Sequence, residues 1–181
     1  MKSEILSLIA GFIAMAFVII SYFVRKKEYY LLFQLLCIVF LIISYFFNVQ
    51  FFAMIGLFIG LCRTVTFFIY ENKGKSAPIL WSFVFSILTL ASYFIVNYGI
   101  IKTAQPLDIL CLLALCAYAF IFRIRNLKIV RFAMLIPTVL SILFNVLTQA
   151  AIFVTLSYAF ELGANVVSIF KYHVFNKKQK D

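Results

Sequence analysis

Two charged residues, Arg63 and Glu161, stand inside long apolar runs of the sequence. A charge at membrane depth costs about 2.5–3.5 kcal/mol on insertion scales, so each needs a partner or a task. A guanidinium stays cationic under all conditions of life, and its fork of donors fits a carboxylate or a phosphate. A carboxylate at similar depth can balance it. The two residues therefore read as an ion, proton or anion site. The alternative is a fixed ion pair that locks the protein together, because buried pairs are often architectural. Asn165 follows Glu161 by four residues and shares its helix face. Gly163, between them, lets another backbone come close. Gln34, Thr64 and Thr66 are weaker lining candidates. Asn48, Asn145, Gln149 and Asp108 fall at expected helix ends, where capping and interfacial water account for them. Ser21 and Ser44 can bond back to their own helices.

Other chemistries find little support. Cys37, Cys62, Cys111 and Cys116 all sit in apolar runs, and His173 is the single histidine. Neither has metal-ligand spacing, so no metal and no cofactor is expected. There is no Gly-rich phosphate loop, no Gly-x-Ser-x-Gly elbow and no paired carboxylates, which argues against an enzyme.

The elements that position Arg63 and Glu161 follow from composition. The 181 residues are 66% apolar and 12% charged, with a mean hydropathy of +1.11. A soluble domain is about 45–50% apolar and about 25% charged. No water-soluble core can hide that excess, and a disordered chain would be polar. The expected solvent is the lipid bilayer. The apolar runs are long rather than short and alternating, so the spans are helices and not barrel strands. Twenty-three Phe and ten Tyr against one Trp suit a thin-walled bundle with Tyr near the interfaces.

A spanning helix needs about 20 apolar residues. Seven runs qualify, at 5–24, 29–47, 51–70, 79–99, 107–122, 132–148 and 151–171. The first is retained rather than cleaved, since Arg25-Lys26-Lys27 follows where a small-residue cleavage site would fall. On these spans Arg63 and Glu161 lie at similar depths, about 12–15 Å from one end. Alternating the loops places thirteen Lys and Arg on one side and Lys2 and Lys102 on the other. The positive-inside bias then sets the N-terminus outside and the C-terminus in the cytoplasm. The net charge of +10 reads as helix-end anchoring to anionic headgroups rather than nucleic-acid binding.

The chain also reads as a repeat. Phe47-Asn48-Val49 recurs as Phe144-Asn145-Val146 at an offset of 97, and the basic turn at Arg25 recurs at Arg123. Val65, Phe68 and Tyr70 match Val167, Phe170 and Tyr172 at an offset of 102, with Thr66 opposite Ser168. The expected architecture is all-α, with seven transmembrane helices in two parallel triple-helix bundles joined by a linker helix. The divisions are 1–76, 77–104 and 105–181. Parallel repeats of this kind place a site between the halves near the midplane.

This three-plus-one-plus-three layout resembles the superfamily of SWEET sugar carriers, PQ-loop proteins and the KDEL receptor. Within it the chain is most similar to the YgjV-type bacterial inner-membrane proteins. The matching stretches are Arg25-Lys26-Lys27, the Arg63-Thr64 pair and the segment from Glu161 to Asn165. The resemblance implies a multi-pass protein of the bacterial cytoplasmic membrane without an established substrate, and the repeat with its midplane polar cluster points to a small-solute transporter or facilitator. The resemblance also implies that Asn165 stands where SWEET carriers place a substrate-binding Asn. Three features depart from those carriers. Neither the first nor the fifth span has a Pro-Gln pair, and Gln105-Pro106 is reversed and lies in a loop. Pro137 alone breaks a helix interior and is the candidate hinge. The repeat mate of Asn165 is Arg63, which shifts the expected substrate from a sugar towards a small polar or anionic solute. The expected substrate-binding set is Arg63, Glu161, Asn165, Thr66 and Gln34. A membrane receptor or sorting protein, an accessory subunit and a homo-oligomer are the other expectations the sequence leaves open.

Overall fold

The computed structural model describes residues 2–47, 51–100, 106–148 and 152–174, with the side chains of 5–47, 54–99, 106–148, 152 and 154–172. Asn48, Gln149 and the loop at 101–105 lie outside the described residues, as do the side chain of His173 and the tail from 175 onwards. The described residues form seven α-helices. They are α1 (Lys2–Phe23), α2 (Lys27–Phe47), α3 (Phe51–Asn72), α4 (Ile79–Phe94), α5 (Asp108–Ile121), α6 (Leu127–Leu147) and α7 (Ile152–Ile169). π-Helical turns extend α4 over Ile95–Ile100 and α7 over Phe170–Val174.

The helices stop where the sequence stops supporting them. Gly74, at φ 66°, ends α3. Its N–H donates to the Glu71 carbonyl at 2.9 Å and that of Lys75 to the Tyr70 carbonyl at 3.0 Å. This is the glycine-terminated helix end that a left-handed residue permits. Asn126 caps α6, its side chain accepting from the Lys128 N–H at 3.0 Å.

Among the described residues, five helices are long and apolar enough to cross a membrane: Ile5–Phe23, Lys27–Phe47, Met54–Asn72, Ile79–Gly99 and Leu127–Leu147. α5 has 14 residues, about 21 Å of helix against a hydrocarbon thickness of about 30 Å.

Each helix packs on its neighbours in sequence, and α1 packs on α7, which closes a ring. α3 also meets α5 directly, so α4 lies outside that contact. Its outer face accordingly presents Leu80, Phe83, Ile87, Leu88 and Phe94. One continuous core runs through the other helices and includes Ala14, Val18, Leu31, Leu57, Met134 and Val154. Tyr22, Tyr30, Tyr45, Tyr93, Tyr118 and Tyr158 are buried against neighbouring helices, and Tyr22, Tyr30, Tyr45 and Tyr118 lie within a turn of a helix end. The Tyr22 and Tyr45 hydroxyls donate to polar groups inside the bundle, Glu161 and Asn145.

α3 and α5 approach closely at Gly56. A β-carbon there would sit 2.5 Å from Leu115 Cδ1. Gly56→Val should cost about 1–3 kcal/mol of overpacking, a fall of about 3–10 °C in the unfolding midpoint. Trp81, the single tryptophan, reports the transition. Combining Gly56→Val with Leu115→Ala should cost less than the two changes summed. Strict additivity would mean that the two positions are not in contact.

Candidate functional site

The centre of the ring holds a cavity of about 50 Å³. On that scale a water needs about 10–15 Å³, so there is room for roughly three or four waters or a small ion. Most of the wall is apolar, from Ile38, Leu41, Leu57, Leu115 and Phe144. Its polar groups are Gln34, Tyr45, Arg63, Tyr118 and Ser141. Asn145, Tyr158 and Glu161 are polar lining groups too, and Cys37, Cys111 and Phe122 complete the wall. Both charges that the sequence singled out thus face the interior and not lipid, each about 4% exposed.

Arg63 lies one turn beyond Gly60, and its guanidinium folds back over that glycine. A β-carbon on Gly60 would be in ordinary contact with Arg63 Nη2, at 3.4 Å. Nη1 donates to the Leu115 carbonyl of α5 at 2.9 Å. The guanidinium carbon lies 5.2 Å from the ring centre of Phe122 and 5.7 Å from that of Tyr118. Ring faces attract a desolvated cation. Buried Nε has no acceptor among the described residues. The cation is therefore held, but its five N–H donors are not all satisfied.

Glu161 is held differently. Its Oε1 accepts from the Tyr22 hydroxyl of α1 at 2.8 Å, with Thr138 of α6 beside it. Tyr22 packs edge-on against Tyr30 at 5.6 Å, and Tyr30 against Phe122 at 6.1 Å. A chain of rings thus runs from the carboxylate to the guanidinium.

The expected Arg63–Glu161 ion pair is not made. Among the described residues the ion pairs are Lys27–Glu71 at 2.9 Å and Arg125–Glu71 at 3.9 Å, both near the end where the basic loops lie. Comparable depth on two helices placed Arg63 and Glu161 around one cavity but did not bring them together, because Leu115 and the rings of Tyr118 and Phe122 take the guanidinium first.

The other predicted residues divide. Gln34 lines the cavity and donates to the Ser21 hydroxyl at 3.0 Å. Asn165 is fully buried but lies outside the cavity lining. Its Nδ2 donates to the Arg131 carbonyl at 2.8 Å, and its Oδ1 is unpartnered among the described residues. Thr66 leaves the site. It is partly exposed, and its hydroxyl bonds back to the Cys62 carbonyl at 2.9 Å. The buried face of α3 carries Leu57, Arg63, Thr64 and Phe67 instead. Gly163 admits no close backbone; a β-carbon there would meet nothing within 4 Å. Pro137 is buried within α6, which continues through it.

Three groups exceed their sequence reading. Asn145, near the end of α6, is buried and not merely capping: its Oδ1 accepts from the buried Tyr45 hydroxyl at 3.1 Å. Asp108 accepts from Asn97 Nδ2 at 2.8 Å in a buried contact. Ser44 reaches across to the Ser7 hydroxyl, 3.1 Å away, rather than only to its own helix.

Arg131 is the residue the sequence reading missed. Apolar length alone leaves it in a loop, yet it is about 2% exposed inside α6. Its Nη2 donates to the Tyr22 and Val24 carbonyls at 3.1 and 2.8 Å, where α1 ends. A cation suits a helix C-terminus, where carbonyls lack partners. The Tyr172 ring lies 4.7 Å from the guanidinium, and its hydroxyl donates to the Phe23 carbonyl at 2.8 Å. The signal was periodicity: Arg131, Met134, Thr138, Ser141 and Asn145 recur at helical spacing and form one buried stripe.

These features define a polytopic α-helical membrane protein with a small polar centre enclosed by apolar helices. The chain belongs to the Imp-YgjV family of bacterial inner membrane proteins, whose family model matches residues 5–175. No curated protein and no solved structure matches it.

Removing the Tyr22 hydroxyl takes from Glu161 the donor at 2.8 Å. Tyr22→Phe should cost about 1.5–3 kcal/mol, seen as a fall of about 3–10 °C in the unfolding midpoint. In a Glu161→Gln background the same change should cost less. An unchanged midpoint in Tyr22→Phe would show that the bond does not hold the carboxylate.

Proposed function

We propose that this protein is a small-solute transporter or facilitator of the bacterial inner membrane, not an enzyme and not a nucleic-acid binder. The observation that carries the reading is that a cation and a carboxylate share one central cavity without pairing. Arg63 keeps unsatisfied donors there, which suits a solute bearing a carboxylate or phosphate. Gln34 and Glu161 are the other cavity groups in the proposed site. Asn165 acts behind it by holding the Arg131 backbone, and Pro137 is the proposed hinge.

The proposal takes all seven helices as spanning, in two parallel triplets around α4, divided at 1–76, 77–104 and 105–181. It places the chain in the SWEET and PQ-loop superfamily. The place of α4 outside the direct contact of α3 with α5 supports this. So do the matched positions at an offset of 97. Gln34 with Arg131 and Ser44 with Ser141 are all buried. The basic loops place the N-terminus outside and the C-terminus in the cytoplasm. A fluorescent protein fused after Asp181 should therefore fluoresce, and a periplasm-only reporter there should stay silent. The reverse pattern overturns the orientation.

A second reading is a non-transporting receptor or accessory protein, alone or as a homo-oligomer. The small volume of the cavity favours it, since a solute larger than a few waters needs the bundle to open.

The test is a thermal-shift screen of small carboxylates and phosphates on purified protein, because a ligand of the folded state raises its stability. A hit should be lost in Arg63→Ala and kept in Asn48→Ala, compared at equal folded yield. A hit kept at full strength in Arg63→Ala would leave Arg63 as architecture and overturn the reading of Arg63 as the solute's anion-binding group.

A further inference from the structure

A groove of about 490 Å³ opens on the outer surface between α1 and α7. Ile19 and Phe23 form one wall, and Leu156, Phe160 and Ala164 the other. Its floor is Ala159 and Gly163, where the missing side chain leaves open space. Along α7 the groove runs from Leu156 to Ala164, about 12 Å at the helical rise. That is a cleft as long as half an acyl chain, in a wall otherwise studded with bulky side chains.

A cation stands at the lip. Lys171 is exposed in the π-helical turn after α7. Its Nζ lies 5.5 Å from the ring centre of Phe23, the same ring that ends the groove, and 5.5 Å from that of Tyr172. Tyr172 is itself fixed by its hydroxyl bond to the Phe23 carbonyl. The two rings hold the ammonium beside the mouth instead of letting it range freely. Arg25 and Lys26, both exposed, follow the end of α1 two and three residues beyond Phe23. An apolar slot with positive charge at one end is complementary to one class of molecule.

We propose that the α1–α7 groove is a binding site for an anionic phospholipid, with one acyl chain laid over Gly163 and the headgroup phosphate at Lys171. The acyl chain removes apolar groove surface from any residual water, and its packing is favoured by the absent β-carbon. The phosphate meets a lysine at the interface, where each basic residue near an anionic surface contributes measurably. The site is independent of the central cavity: none of the groove residues lines it.

The test is native mass spectrometry of the full chain in detergent, challenged with equal amounts of phosphatidylglycerol and phosphatidylcholine. The wild type should retain phosphatidylglycerol in preference. Lys171→Gln should lower that preference about fivefold, the effect of one basic residue at an anionic surface. Gly163→Leu fills the groove where the structure has open space, so the fold tolerates it. It should lower retention of both lipids. Lys128→Gln, an exposed cation at the start of α6 that lines no part of the groove, should change neither. Equal retention of the two lipids by the wild type overturns the proposal. So does full retention in Gly163→Leu, or a loss in Lys128→Gln equal to that in Lys171→Gln. Matching unfolding midpoints for the variants ensure that folded protein is compared.

Discussion

A guanidinium and a carboxylate sit within one apolar ring of helices and do not neutralise each other. Most of the interior is arranged to make that tolerable. Hydrocarbon offers neither charge any solvation, so each must be stabilised by groups of the chain itself. Arg63 uses a backbone carbonyl and two ring faces. Glu161 uses a phenol from α1. These needs draw Tyr22, Tyr30, Tyr118 and Phe122 inward, and they set Gly60 beneath the guanidinium. They also fix α5 against α3, because the acceptor for Arg63 is the Leu115 carbonyl. α4 supplies nothing to either charge and is correspondingly the helix left on the outside.

The two ends of the bundle are closed by different chemistry. At the end with the basic loops, Lys27 pairs with Glu71, and Arg123 Nε donates to the Ala77 carbonyl at 2.9 Å. Arg131 ties the end of α1 to α6, with Asn165 bonded behind it. At the opposite end Ser7 bonds Ser44 and Tyr45 bonds Asn145, both neutral ties, while Asn97 donates to the Asp108 carboxylate. Hydrogen bonds to charged groups contribute about 1.5–3 kcal/mol and neutral ones about 0.5–1.5. The tie between Tyr45 and Asn145 is thus among the less costly ones to break. Both residues line the cavity, so parting them would lengthen it towards that face.

The sequence carried the large features because they rest on long signals. Apolar runs of membrane length located all seven helices, and the cost of a buried charge located Arg63 and Glu161. The features it missed depended on one residue more or less. Apolar length begins the sixth span at Phe132, just after Arg131, so a buried cation falls among the loops. Thr66 is a candidate by its type, yet it is turned from the face that carries Arg63 and Phe67. Tyrosines belong at interfaces by their usual preference, and no sequence pattern announces that a carboxylate elsewhere needs a phenol. The contact between Glu161 and Tyr22 spans 139 residues of sequence, and the packing of α1 on α7 creates it.

The junction of α4 and α5 shows how a local irregularity serves the same constraint. α5 begins at Asp108, which is about 9% exposed, so a carboxylate is carried into the bundle rather than left in water. It needs a donor, and the preceding helix provides one through its π-helical turn at Ile95–Ile100. A π turn inserts an extra residue and rotates the backbone beyond it. Here Asn97 is buried within the turn and Tyr98 faces out. Asn97 then donates to Asp108 across the loop that joins the two helices. Because α5 is short, that tie holds its start below the surface. The same placement sets Leu115 two turns further along, level with Arg63. A single misfit of helix geometry thus satisfies one buried charge and positions the acceptor for another.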